Sequence, residues 1–180
     1  MSLLLTLWFL ITTSPQDVES LRASAPSYLT VDDARTHLAC ARAAGAVHHL
    51  DASVLLAIAY RESRYTPGTR GPEVRGKHAC GLMQPRMHNT PCPRQTVLDG
   101  YQEGAEHLRE WADTQTCGGD LRCAVLGYSG GYSLLRGCQA GPVVVDRGGR
   151  PMDLCRVPDL TYARAARLSR TRDRASSSAS

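Results

Sequence analysis

The sequence predicts a mainly α-helical single domain with a loop-rich, disulfide-stapled face and at most a small β-hairpin. Three observations lead there. Apolar residues recur at helical spacing in five segments. Six of the seven cysteines fall after residue 79, among Gly, Pro and Arg. The clearest β-branched run is Val143–Val145. With 180 residues, 42% hydrophobic and 21% charged, the chain is neither a disordered polymer, a multi-span membrane protein nor a collagen-like fibre. A single Phe leaves Leu, Val, Ala and Ile to build the core.

The elements follow in order. Leu3–Ile11 is an apolar run of signal-peptide length, too short to span a bilayer, and it contains Trp8. Ala23-Ser-Ala25 has the small-x-small form of a cleavage site. No Lys or Arg precedes the run and Pro26 follows the site, so residues 1–25 read as a signal peptide or, alternatively, a short uncleaved anchor. Thr30 caps a helix with Asp33 in a weak capping box, an inner stripe of Ala34, Leu38 and Ala41, and an end near Gly45. After the His48-His49 turn, Asp51 caps a helix whose apolar face is Val54, Leu55, Ile58 and Ala59. Tyr65–Gln95 is rich in Gly and Pro and has no sustained period, which suits a functional or cross-linked loop. Tyr101, Ala105, Leu108 and Ala112 mark a third helix, with Trp111 as a core or rim residue, and Leu121–Tyr128 a fourth that ends at Gly130-Gly131. Val143–Val145 pairs with residues around Met152 in a hairpin, and a last helix runs from Asp159 to about Arg172. The domain thus occupies 26–172, and 173–180 is a disordered tail.

Charge and cysteines narrow the function classes. The net charge of +4 resides in Leu160–Ser180, where Arg164, Arg167, Arg170, Arg172 and Arg174 stand against one acid, Asp173. No aromatic residue interleaves these arginines, so a nucleic-acid stacking platform is not indicated and the run reads as a solvated helix end. Pairing of neighbours gives Cys80–Cys92, Cys117–Cys123 and Cys138–Cys155 with Cys40 left over, one of many connectivities open to six cysteines. Such a framework belongs to an oxidising compartment, periplasmic or extracellular, with a virion as the alternative. A zinc site from His78, Cys80, His88 and Cys92 is the competing reading; its spacing fits no familiar finger, so neither metal nor cofactor is predicted. Cys117 and Cys123 lack the C-x-x-C spacing of a redox pair, and no P-loop pattern accompanies the glycine pairs.

One carboxylate breaks the pattern. The stripe Val54, Ile58 continues to Glu62, which puts an acid at the C-terminal end of a buried face. Apolar neighbours and the helix C-terminus both disfavour a charged carboxylate, and a proton-carrying glutamate is what general-acid cleavage of a glycoside requires. The plainer alternative is that Arg61 or Arg64 pairs with Glu62 and nothing more follows.

Sequence context bears on that choice. Glu62-Ser63 after an Ala-Ile-Ala run, then Gly81-Leu-Met-Gln84, then Tyr101–Leu108 with its Gly-Ala pair, then Leu126-Gly-Tyr-Ser-Gly-Gly131, and finally Tyr162 in the arginine-rich helix, stand in an informative order. Together they resemble the soluble lytic transglycosylase family of peptidoglycan-cleaving enzymes, over about Ala46 to Arg170. The resemblance implies a lysozyme-like domain of the goose-type lysozyme and lytic transglycosylase architecture. It implies that Glu62 acts alone, first as acid toward the glycosidic oxygen between N-acetylmuramic acid and N-acetylglucosamine. Glu62 then acts as base while the muramoyl 6-hydroxyl closes a 1,6-anhydro ring, unlike the usual two-carboxylate scheme. Ser63 would fix the loop behind Glu62, Met83 and Gln84 would line the cleft floor, and Tyr128 and Tyr162 would face the sugar. Ser129 stands where the family carries Asn, Pro85 where it continues apolar, and the Gly71–His78 segment is longer, clamped in this reading by Cys80 and Cys92. The partner implied is the peptidoglycan glycan strand, met by a monomer, with an envelope-spanning assembly or a phage particle as the larger setting. Two alternatives remain. A goose-type lysozyme would hydrolyse the same bond with a second carboxylate, for which Glu73 is the position to inspect. A peptidoglycan-binding module without turnover would keep the cleft, and the shorter Ser129 leaves that reading open.

Overall fold

The computed structural model describes residues 13–85, 87–89, 91–146 and 150–177. These form a mainly helical chain with two small antiparallel sheets. The apolar run Leu3–Ile11 lies outside the described residues, as do Met1 and Ser2. The chain divides into two compact units, one of Met1–Ala105 with Arg164–Ser180, the other of Glu106–Ala163.

In the first unit, α1 (Pro15–Ser24) is capped by Ser14, whose hydroxyl accepts from the Asp17 amide, and carries Pro at its first position. It buries Val18 and Leu21 against α2 (Val31–His48). The Arg42 guanidinium of α2 reaches back to the Asp17 carboxylate at 2.6 Å, and Arg164 donates to the Ser24 carbonyl. Residues 15–24, inside the stretch expected to be a signal or anchor, are therefore a packed helix. Thr30 and Asp33 form the full capping box of α2, which runs past Gly45 to His48. Asp51 caps α3 (Ala52–Ser63), which packs on α2 through Val54, Leu55, Ile58 and Ala59. Deep in this unit His37 Nδ1 meets the Tyr101 hydroxyl at 3.1 Å. Burial holds the His37 imidazole down to about 4 against the pull of Asp33, and pushes the Cys40 thiol up to about 11. Cys40 is thus a buried, inert thiol.

The segment after α3 corrects one expectation. Tyr65–Gln95 holds a three-stranded sheet, β1 (Arg70–Val74), β2 (Lys77–Cys80) and β3 (Met87–Asn89), where at most one hairpin elsewhere was predicted. Register pairs Glu73 with His78 and His78 with His88. These strands are polar and β1 is largely exposed, so no alternating apolar signal marks them. Cross-strand backbone bonding and the Cys80–Cys92 disulfide hold them instead.

Helix α4 (Val97–Ala112) begins in the first unit and ends in the second. In the second unit, α5 (Leu121–Ala140) continues well beyond the predicted Tyr128, with a break at Gly131 (φ 65°, ψ −166°), a conformation essentially confined to glycine. The hairpin is present as β4 (Val144–Asp146) and β5 (Pro151–Asp153), with Val145 opposite Met152. A short 3₁₀ turn, Leu154–Arg156, leads into α6 (Val157–Ser177), which takes in the first residues of the expected disordered tail. All three neighbouring cysteine pairs are disulfides: Cys80–Cys92, Cys117–Cys123 and Cys138–Cys155. No described helix is long and apolar enough to cross a membrane.

Candidate functional site

Glu62 lies in the last turn of α3, one turn beyond the fully buried Ile58, with its side chain 24% exposed. The Arg61 guanidinium donates to Glu62 Oε1 through Nε at 2.8 Å and through its terminal nitrogen at 2.5 Å. Of the two arginines weighed from sequence, Arg61 makes the pair. Arg64 instead stacks on the Tyr60 ring at 4.2 Å, and Arg164 lies against the same ring.

The chain turns immediately after the acid. Arg64 (φ 56°) and Tyr65 (φ 68°) both occupy the left-handed region, an uncommon choice for residues with side chains. The turn is over-determined by what surrounds it. The Tyr65 side chain is buried, 5.1 Å from the His37 ring and 5.7 Å from the Tyr60 ring, and burial pushes its phenol up to about 12. Ser63 is buried too; its hydroxyl donates to the Ala59 carbonyl at 3.1 Å and accepts from the Thr66 amide at 3.2 Å. Thr69 Oγ1 contacts the Ser63 carbonyl at 3.5 Å, and the Thr69 carbonyl accepts from the Gly81 amide at 2.8 Å.

That last bond joins the Glu-Ser turn to Gly81-Leu-Met-Gln84. Leu82 and Met83 are fully buried, seated on glycines of α4. A Cβ on Gly100 would stand 2.7 Å from Leu82 Cβ, and one on Gly104 would stand 2.4 Å from Met83 Sδ. Met83 therefore supports the segment from beneath and has no surface with which to meet a ligand, in contrast to the cleft-floor role expected for it. Gln84 has φ 51°, and its buried Nε2 has no hydrogen-bond partner, while its Oε1 lies against Gly71 of β1. Glu73, the position for a second carboxylate, is 63% exposed and stands 3.5 Å from His78 Nε2, where Arg70 also donates.

Glu62, Ser63, Met83 and Gln84 thus belong to one unit, whereas Tyr128, Ser129 and Tyr162 belong to the other. Half-buried Tyr128 sits 5.2 Å from the His107 ring. Ser129 is exposed, and its hydroxyl donates back to the Val125 carbonyl at 2.7 Å. The Arg122 guanidinium lies over the Tyr162 ring at 5.4 Å and also pairs with Asp159.

Two further features were not foreseen. Thr66 and Thr69 build the bridge behind Glu62; the only sequence signal is the three-residue spacing Ser63, Thr66, Thr69. A pocket of about 100 Å³ and mixed polarity in the first unit is lined by Asp17, Arg42 and Asp51 together with Leu21, Leu38 and Leu56, and Glu62 is not among its lining residues. The disulfide between Cys80 and Cys92 consumes two of the four ligands of the zinc alternative. Among the described residues no group of three or more His, Cys, Asp or Glu could hold a metal ion. Comparison of the chain with family models, with curated proteins and with solved structures returns no match.

Proposed function

We propose that this chain is an exported lytic transglycosylase of lysozyme-like architecture that cleaves peptidoglycan with Glu62 as its single acid and base. One observation carries the reading. The three sequence pieces of the resemblance that lie in the first unit, Glu62-Ser63, Gly81–Gln84 and the Gly-Ala helix, are tied together by the Thr69–Gly81 hydrogen bond and the Met83–Gly104 contact. Pieces about twenty residues apart in sequence are thereby linked to the turn that follows Glu62, and such a linkage supports a shared scaffold for one acid.

In this mechanism the glycosidic oxygen takes the place of Arg61 at the Glu62 carboxyl, which takes up a solvent proton as Arg61 leaves and delivers that proton to the leaving sugar. The same carboxylate then removes the proton of the muramoyl 6-hydroxyl as that oxygen attacks the anomeric carbon. Glu62 thereby returns to its starting state without a water molecule entering the product. Ser63, Thr66 and Thr69 hold the turn that aims Glu62, and Gln84 offers an amide donor whose hydrogen-bonding capacity the protein itself does not fill. The glycan contacts implied for Tyr128, Ser129 and Tyr162 are properties of the second unit. Export accords with the three disulfides, which persist in oxidising compartments.

The direct test is mass spectrometry of soluble products from purified peptidoglycan incubated with oxidised wild type and with Glu62→Gln. Anhydromuropeptides from wild type, reduced by roughly 10²–10⁴-fold in the variant, are expected for loss of the general acid. Reducing-end products would replace the lyase by a goose-type hydrolase and turn attention to Glu73. A second reading, a glycan-binding module without turnover, is favoured by the Arg61–Glu62 pair, which occupies the carboxylate. It predicts no product from either protein and equal affinity for the polymer.

A further inference from the structure

The second unit carries an aromatic surface that the proposed chemistry does not use. Trp111, in the last turn of α4, donates its indole N–H to His107 Nε2 at 3.3 Å, and the His107 Nδ1–H donates to Glu110 Oε2 at 2.9 Å. Both imidazole nitrogens are thereby engaged, and the indole is oriented by a chain of two hydrogen bonds. The benzo edge of the indole lies against bare backbone at Gly127, where a Cβ would stand 2.4 Å from Trp111 Cε3. Tyr132 packs 4.8 Å from Trp111 at an angle of 57°. It follows the break at Gly131 and is 51% exposed, while Trp111 is half-buried.

A pair of rings held this firmly loses little freedom when a ligand stacks on it, which is the usual cost of an exposed aromatic contact. The surrounding charges say what kind of ligand fits. The outer face here carries Glu106 and Glu110 on α4 and Asp113 just past its end, against Arg109, which is already paired to Asp113 at 2.5 Å, and against exposed Arg136, four residues after Tyr132 on α5. An acidic rim repels a phosphate backbone and leaves a neutral partner with an apolar face and hydroxyl edges. A pyranose has that shape: its C–H face stacks on the ring while its hydroxyls and acetamido group meet the carboxylates.

We propose that Trp111 and Tyr132 form a stacking platform for one N-acetylhexosamine ring of a glycan strand. The proposal rests on the glycan reading above but on none of Glu62's chemistry. The test titrates triacetylchitotriose into the full-length, oxidised protein carrying Trp8→Phe, so that Trp111 is the sole tryptophan and is excited selectively over the tyrosines, with calorimetry alongside. Saturable change of the Trp111 emission is expected. Tyr132→Ala weakens binding about tenfold, and Tyr132→Phe, which keeps the ring, stays close to wild type. Tyr132 is half-exposed, so its variants keep the thermal midpoint of the parent. An unresponsive Trp111, equal affinity in Tyr132→Ala, or preference for single-stranded DNA over the trisaccharide would each overturn the platform. Product release from peptidoglycan is a separate readout. A platform without products would refute the lyase and leave the platform standing, and products without dependence of binding on Tyr132 would do the reverse.

Discussion

The two units solve the same problem by different means. The first buries a continuous apolar interior: Val18, Leu21, Leu38, Leu55, Ile58, Leu82 and Met83 are all nearly or completely removed from solvent. One disulfide, Cys80–Cys92, serves its sheet. The second, Glu106–Ala163, buries few large side chains, chiefly Leu108, Val125, Leu134, Leu135 and Val157, and carries two disulfides. A segment of that size cannot remove enough apolar surface to offset the conformational entropy it loses, and covalent staples reduce that loss from the unfolded side. The contrast extends to the predicted site. Glu62 is placed by packing and backbone hydrogen bonds, whereas the aromatic surface around Trp111 is placed by a kinked helix between cross-links.

Predictions that sharpen this contrast run from large to small. Deleting residues 1–25 removes Val18 and Leu21 from the first unit and leaves Arg42 without Asp17. Large-to-small changes at buried sites cost about 2–5 kcal/mol each, and the part-buried Arg42–Asp17 pair is lost with them. The expected result is loss of the cooperative melt by circular dichroism, and a truncated protein with wild-type melting would show that α1 is dispensable.

Replacing Cys138 and Cys155 by Ser opens the longer of the two loops in the second unit, a separation of 17 residues, and costs about 3 kcal/mol. Removing Cys117–Cys123, a separation of 6, costs less, about 2 kcal/mol. Hydrogen exchange checks where the loss appears: amides of α5 open first while those of α2 and α3 stay protected. Equal loss in both units would break the comparison.

A pH dependence that arises from burial is expected in the first unit. His37 is held to about 4 by burial, below its ordinary 6.5, so the unfolded chain takes up the proton first as pH falls. Stability is therefore full above pH 6.5, declines between 6.5 and about 4, and levels off below, with a ceiling of roughly 3 kcal/mol. Denaturant titrations across this range show the slope in wild type, and His37→Asn flattens it. The smallest effect is in the second unit. Gly127→Ala places a methyl 2.4 Å from Trp111 Cε3, and the indole must shift at a cost of about 1–3 kcal/mol. A changed Trp111 emission with the fold retained is the expected signature, read in the Trp8→Phe background.

Much of the fold was legible in the chain. The Thr30–Asp33 box, the Asp51 cap and the hairpin at Val145 and Met152 follow from local chemistry, and the disulfides take the neighbour pairing, one of the connectivities the spacing left open. Elements that failed to announce themselves share a cause. The three strands between residues 70 and 89 are polar, so their pairing leaves no periodic trace. The helix from Leu121 does break at Gly131, as the glycine pair signals, and what went unannounced is the further helical stretch that follows to Ala140. Helix α1 buries only Val18 and Leu21 in a mostly polar stretch, too few for a stripe to show.

The candidate site divides along the same line. By itself the sequence determined that an acid ends the apolar face of a helix, since periodicity places Glu62 below Ile58 whatever surrounds it. Tertiary structure alone decided that Arg61 rather than Arg64 takes the carboxylate, because Arg64 enters a left-handed turn and is drawn onto Tyr60. It also decided that Met83 is buried on Gly104 and that Trp111 and Tyr132 meet. Contacts of that kind depend on which residues arrive opposite one another after the chain has folded, and no local pattern encodes them.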